Sequence, residues 1–280
     1  MKKILVILLA AAMTVPFAAC SAQQQSGNNS GQPETAAAQT ETKSAQTETD
    51  RETIYQVALL QSLTQGYYDG IIKVSELKKH GDIGIGTFEG VNGEMIVLDG
   101  TVQEAADDET VPFSNVTFFD KDGSAELSDI NDVNALKEKL NAMVEENGKN
   151  LFYFVKMSGT FEKMNVRSEI KQEKPYKTLD KALETDQREF NYDNITGTVV
   201  ALYCPDYMGG LNTPGWHFHF ISDDKTKGGH LLDLQFAKAT AEYDATPGFD
   251  MCLTDNGDFQ KMELSKDVSD AIKKVETNEE

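Results

Sequence analysis

Four histidines occur in the 280-residue chain, and two of them stand one residue apart in Gly215-Trp216-His217-Phe218-His219-Phe220-Ile221. A third, His230, follows across the polar segment Ser222-Asp223-Asp224-Lys225-Thr226-Lys227-Gly228-Gly229. Side chains alternate faces along a strand, so His217 and His219 share one face while Trp216, Phe218 and Phe220 cover the other. The Gly-ended connection reads as a hairpin loop returning through Leu231-Leu232-Asp233-Leu234-Gln235-Phe236. With His219 opposite His230, all three imidazoles lie on one face, because directly paired residues of neighbouring strands stay close on the same side. Three neutral imidazoles with an open fourth position are a catalytic zinc arrangement. The bland alternative is a polar strand face with hydrogen-bonded histidines, and the scarcity of histidine elsewhere in the chain weighs against it.

Elements on either side must hold this hairpin in place. Ile54 to Leu60 reads as a strand or the start of a helix, which periodicity does not decide. Val74 to Gly81 is a short helix with a Gly stop, and it places His80 near a helix C-terminus as a structural residue. Ile83 to Glu89 and Glu94 to Leu98 are strands joined by Gly90-Val91-Asn92-Gly93, and Asp99-Gly100 turns the chain into Thr101-Val102. A further strand runs from Pro112 to Phe119. Val133, Leu136, Leu140, Met143 and Val144 recur at helical spacing and end before Gly148. Leu151 to Met157 and Thr160 to Ile170 read as paired strands, Leu179 to Glu184 as a short helix, and Ile195 to Cys204 as a strand. After the histidine hairpin come strands at Ala239 to Asp244 and Phe249 to Leu253, and Val268, Ala271, Ile272 and Val275 mark a closing helix. Hairpins dominate, so the expected fold class is α/β of the α+β kind. That means two intimate subdomains of mixed, largely antiparallel sheet with packed helices.

The first nineteen residues have a basic start, Met1-Lys2-Lys3, and an apolar run from Ile4 through Ala19, too short for an ordinary membrane span. Small residues before Cys20 resemble a bacterial lipobox, which implies lipid attachment at Cys20. Residues 20–52 are mostly Gln, Ser, Thr, Ala and Asn, and such a composition makes a flexible tether reaching on the order of 30 Å. The domain proper spans 53–280. The expected address is extracytoplasmic, as a membrane-anchored bacterial lipoprotein that meets the membrane only through its N-terminal lipid. The formal net charge of -20 excludes nucleic acid and anionic lipid as electrostatic partners. Only Cys204 and Cys252 remain beyond Cys20; outside the cytoplasm they could pair, and without a Cys-x-x-Cys they do not suggest a thiolate zinc site.

Stretches along the whole domain carry a specific resemblance. They are Tyr68-Asp69-Gly70, His80-Gly81-Asp82-Ile83-Gly84-Ile85-Gly86-Thr87-Phe88, Gly93-Glu94-Met95-Ile96, Arg167-Ser168, and Gln172-Glu173-Lys174-Pro175-Tyr176. Tyr207-Met208, Gly210-Leu211-Asn212 and Pro214-Gly215 then lead into the histidine stretch, followed by Asp223-Asp224, Gly228-Gly229-His230 and Leu232-Asp233. Together they look like alpha-acetolactate decarboxylase. The segment between Asp99 and Pro112 is shorter than is usual in that family. The resemblance implies a zinc ion on His217, His219 and His230, a homodimer, and conversion of 2-acetolactate, a 2-hydroxy-3-oxo acid, to acetoin and carbon dioxide. It also implies catalytic roles for Glu94, Arg167 and a C-terminal glutamate, Glu276, and places Thr87 in the substrate pocket.

The residue types fit that chemistry. A 3-oxo acid that loses carbon dioxide needs an electron sink, and a metal chelating its ketone and hydroxyl oxygens is one. The enediolate left behind needs a proton on one face, which a carboxyl can donate. Arg167 can bind the substrate carboxylate or a developing oxyanion. Taken alone, Glu94 reads as an exposed strand residue and Arg167 as a surface charge, and only the resemblance reverses both. Two rival readings are a metal- or ligand-capture lipoprotein without catalysis, and a cupin-like oxygenase. The first lacks the His-rich tract expected of metal capture. The second requires a glutamate shortly after the second His, where Asp223-Asp224 stands here.

Overall fold

The structure is a computed structural model, and it describes residues 49–265 together with Asp267, Val268 and Ile272. The leader, Cys20, most of the tether, and Glu276 lie outside the described residues. In chain order the elements are β1 (Thr53–Val57), α1 (Leu60–Thr64), β2 (Ile72–Lys73), α2 (Val74–Leu77), β3 (Ile83–Thr87) and β4 (Glu94–Leu98). Then come β5 (Thr101–Val102), β6 (Thr110–Val111), β7 (Phe113–Thr117), β8 (Gly123–Ile130), α3 (Val133–Asn147) and β9 (Phe152–Glu169). The chain continues through α4 (Leu179–Thr185), β10 (Gln187–Cys204), β11 (Gly215–Ser222), β12 (Gly228–Thr246) and β13 (Gly248–Cys252).

Two large sheets form within one compact unit, Thr47–Glu280. The first has six strands in the order β13-β1-β7-β3-β4-β5, antiparallel except for the parallel pair β1 and β13. The second has five antiparallel strands in the order β11-β10-β9-β12-β8, and it curls so that β11 also pairs with β12. This is the mixed, largely antiparallel α+β arrangement expected. The sheets meet face to face through Ile83 and Ile85 of β3, Ile96 and Leu98 of β4, Phe154 of β9, Val200 and Leu202 of β10, and Ile221 of β11. The far face of the five-stranded sheet is covered by α3. Asp132 caps that helix by accepting from the Ala135 N–H at 2.8 Å, and Leu136, Leu140 and Val144 turn inward. Burying each side chain of that size contributes about 1.5–3 kcal/mol.

Three expectations are corrected. Leu151 to Met157 and Thr160 to Ile170 are not paired strands; they are one eighteen-residue strand, β9. Ser158-Gly159 stands inside the strand: a Cβ on Gly159 would lie 3.0 Å from the Ala239 Cβ, so the glycine serves close strand approach. Likewise the return strand and the strand at Ala239 to Asp244 are one element, β12, bent by an irregularity between Leu231 and Asp233. The edge strand β8 was not foreseen, because its mostly exposed residues carry little apolar alternation. Cys204 and Cys252 are both free. His80 stacks flat on the Tyr55 ring, 3.7 Å between centroids, in keeping with a structural role. Among the described residues no helix is long and apolar enough to cross a membrane.

Candidate metal centre

β11 is amphipathic in the sense expected. Trp216, Phe218 and Phe220 enter the core beneath α3, where the Trp216 indole N–H donates to Asn141 Oδ1 at 2.8 Å. His217 and His219 leave the opposite face, paired with Leu202 and Val200 of β10, and therefore point toward the six-stranded sheet. His230 opens β12 directly across from His219 and, on its other side, directly across from Arg167 of β9. One residue thus fixes the relative placement of three strands. The approach is tight: Gly229 has φ 150°, and a Cβ there would come within 2.4 Å of the Arg167 carbonyl oxygen. Only glycine tolerates that backbone and that contact.

The ring nitrogens converge. His217 Nε2 lies 3.1 Å from His219 Nε2 and 3.0 Å from His230 Nδ1. His219 Nδ1 lies 2.9 Å from the Met95 carbonyl oxygen on β4. A carbonyl only accepts, so Nδ1 carries the proton and Nε2 presents a lone pair to its neighbours. Burial pushes the His217 imidazolium down to about 3, with the positive charges of Arg167 and Lys137 adding to the effect. Burial also holds His219 well below the usual histidine value, outweighing the Met95 hydrogen bond. This favours neutral imidazoles at His217 and His219, the protonation state a metal ion requires.

A test of fit follows from these distances. Donor nitrogens at about 2.0–2.1 Å from a tetrahedral zinc stand roughly 3.3 Å apart, close to the two spacings from His217, and all three ligand atoms lie within 4.8 Å of one another. A single N–H on His217 Nε2 can satisfy only one of its two neighbours, whereas a cation among the three satisfies all of them. The donor set fits a metal, and these are the three residues of the described chain whose ligand atoms cluster in this way.

The six-stranded sheet faces this triad with Glu94, whose Oε2 is 3.3 Å from His219 Nε2 and whose side chain is 8% exposed. The sequence alone suggested an exposed residue. Glu94 instead shares its strand face with Ile96 and Leu98, the residues that pack against the other sheet. With His219 neutral the contact is a close polar approach rather than an ion pair. Thr87 is paired across the β3–β4 ladder with Glu94, is buried, and donates to the Gly93 carbonyl at 2.8 Å. Arg167 is 2% exposed, not the surface charge it resembles in isolation. Thr87, Glu94, Arg167, His217 and His230 all line one small cavity of about 40 Å³. Its other end is apolar, formed by Leu60, Leu63, Val91, Phe113 and Leu179. Val268 and Ile272 pack on that same apolar cluster, and the Ile272 N–H bonds the Val268 carbonyl at 2.9 Å, a helical spacing. Glu276 lies outside the described residues.

Sequence reasoning missed a supporting network. Asn212 donates to Gln56 Oε1 and Asn115 Oδ1, each at 2.8 Å, and all three are buried. Gln56 donates in turn to the Leu211 and Ala58 carbonyls. This ties the loop before β11 to the six-stranded sheet. The signal available was the Leu211-Asn212 stretch itself, which carries no chemistry of its own.

Comparison with known proteins matches this architecture. A model of the family described as alpha-acetolactate decarboxylase matches residues 54–266. An alpha-acetolactate decarboxylase of Methanosarcina mazei is 39% identical over 234 residues, covering 80% of each chain. That of Bacillus subtilis is 34% identical, covering 81% of this chain and 90% of its own. The crystal structure of alpha-acetolactate decarboxylase from Bacillus subtilis superposes with a TM-score of 0.76 at 32% identity, covering 80% of this chain and 99% of the other. On the match of the family model and of these relatives, the chain belongs to the alpha-acetolactate decarboxylase family of carboxy-lyases.

Proposed function

We propose that this chain decarboxylates 2-acetolactate to acetoin and carbon dioxide, with zinc as its metal. The observation that carries the reading is the convergence of three imidazoles, with Glu94 3.3 Å from one of them. The curated relatives bear the name of this activity. A zinc ion held by His217, His219 and His230 would supply a Lewis acid for the ketone and hydroxyl oxygens of the substrate.

The chain's own residues do the rest. Arg167, directly across the ladder from His230, pairs with the substrate carboxylate and afterwards with developing oxyanion charge. Departure of carbon dioxide leaves an enediolate that must take up one proton at carbon to become the hydroxyketone. Glu94 stands on the side of the cavity opposite the hairpin and can deliver that proton from its carboxyl, then regain one from solvent. The apolar end, where Leu60, Leu63 and Phe113 stand, excludes water while the charge is present. The family resemblance gives Glu276 a catalytic role as well, and Val268 and Ile272, the described residues nearest to it in sequence, pack on the apolar cluster beside the cavity.

The decisive assay mixes the purified protein with 2-acetolactate and measures acetoin. Rapid acetoin formation is expected, and its absence in metal-replete protein would reject the assignment. The reading extends to a homodimer, which only the family resemblance implies, and to an extracytoplasmic, lipid-anchored address, supported by the leader and Cys20. Cys20→Ser should release the protein from membranes with unchanged specific activity, because the tether isolates the domain; a Cys20→Ser protein still on the membrane would exclude the lipid anchor.

A further inference from the structure

The wall of the cavity carries polar atoms that none of these steps uses. Glu169 follows Arg167 by two positions on β9, so both side chains leave the same strand face, and both line the cavity with His217 and His230. Among the described residues, Glu169 Oε2 is buried and has no hydrogen-bond partner. The hydroxyl of Tyr68, a residue 0% exposed, is likewise buried without a hydrogen-bond partner. Tyr68 packs among Leu60, Leu63, Val91, Phe113 and Leu179, which form the apolar end of the cavity. Burial, then the negative charge of Glu169, pushes the Tyr68 phenol up, so its hydroxyl stays protonated. Glu169 also lines a roomier cavity of about 380 Å³ bounded by Lys225, Thr226 and Lys227 of the hairpin loop. It stands where the metal-side cavity meets the open one.

Buried polar groups without partners are costly and rare in native proteins. A pair of them beside a binding cavity has a natural counterpart in a ligand. A carboxylate oxygen only accepts, so the ligand must donate. We propose that Glu169 is a substrate-binding and specificity-determining residue, its Oε2 accepting a hydrogen bond from the hydroxyl of the 2-hydroxy-3-oxo acid, with the Tyr68 hydroxyl completing the polar patch. This rests on the proposed activity. The substrate has one donor, its tertiary hydroxyl. A ligand without it leaves Glu169 buried and unpaired, and sites of that kind reject such ligands strongly.

The test uses Glu169→Met and Tyr68→Phe, which keep bulk while removing the unpartnered atoms, and Glu169→Gln as a milder variant. Residues that merely support the fold lose thermal stability when altered. Residues held ready for a ligand leave the ligand-free Tm unchanged or higher, because a buried group without a partner has gone. The expectation for Glu169→Met is unchanged metal content, an equal or higher Tm, and kcat/KM on 2-acetolactate lower by roughly 10- to 100-fold, the scale of a hydrogen bond to a charged group. Should Glu169→Met fail to fold, Glu169→Gln carries the same measurement. As competitive inhibitors, 2-hydroxy-2-methylpropanoate should bind wild type at least about tenfold more tightly than its O-methyl ether, and Glu169→Met should bring that ratio close to one. Unchanged kcat/KM in the Glu169 variants, or a ratio that Glu169→Met does not move, overturns the proposal. Wild type inactive on 2-acetolactate would instead remove the functional reading on which it rests.

Discussion

The two sheets contribute to the site in different ways. The five-stranded sheet supplies every imidazole, and it holds them by backbone register: His219 lies opposite His230, and His230 opposite Arg167. Behind them lies the large cluster that includes Trp216, Phe218, Phe220 and Phe236. The six-stranded sheet supplies Glu94, Thr87 and the Met95 carbonyl, and it reaches the imidazoles only across a packed apolar seam. Register is all-or-none, since a slip of one residue turns every side chain to the other face. Seam packing is graded, since side chains and strands can shift by fractions of an ångström. Metal affinity should therefore follow the histidines of the first sheet, while Glu94 on the second should affect turnover without loss of metal.

The comparison breaks first at the donors. His219→Ala should abolish both bound metal, from about one ion per chain to nearly none, and acetoin production, both read on the same purified sample. A His219→Ala protein with full metal would mean that the hairpin is not the metal centre. Across the seam the outcome should separate. Glu94→Gln keeps the shape, so metal should stay while turnover falls roughly a hundredfold or more, the usual scale for general acid–base catalysis. Near-normal turnover would return Glu94 to a passive strand residue.

A chain ended after Lys274 sharpens the comparison, because it removes Glu276 and leaves the described strands of both sheets whole. Folding and metal content should remain nearly intact, with a loss of activity of roughly a hundredfold, the low end for a positioned carboxylate. Glu276→Gln should reproduce most of that loss, and a fully active truncation would take the tail out of the chemistry. The smallest effect belongs to the back of the five-stranded sheet. Trp216→Phe removes the hydrogen bond to Asn141 and should lower stability by about 1 kcal/mol, read by urea denaturation. Metal content and turnover should stay within about twofold, and a large loss of metal would show that the core face tunes the donor face directly.

The hairpin was legible because period-two alternation and a polar, Gly-ended loop encode both the shared face and the pairing. The amphipathic helix α3 was legible from a different period, the three-to-four spacing of Leu136, Leu140 and Val144. Strand length was not legible. Gly159 looks like a turn residue in one dimension, and only the neighbouring Ala239 explains it. The edge strand β8 hides because solvent-facing residues carry no pattern. Glu94 and Arg167 could be assigned from resemblance but not from their own surroundings, because their burial depends on the other sheet or on strands distant in sequence. The network of Gln56, Asn115 and Asn212 joins residues more than 50 positions apart, and no local rule could have joined them.

The central claim, that the hairpin's three imidazoles hold the metal, is tested most directly by zinc K-edge X-ray absorption on the zinc-loaded protein. The account predicts one zinc per chain with three imidazole nitrogens at about 2.0–2.1 Å and the remaining shell oxygen, with the imidazole signature lost in His219→Ala. A sulfur shell from Cys204 or Cys252, or an oxygen-only shell unaffected by His219→Ala, would contradict it.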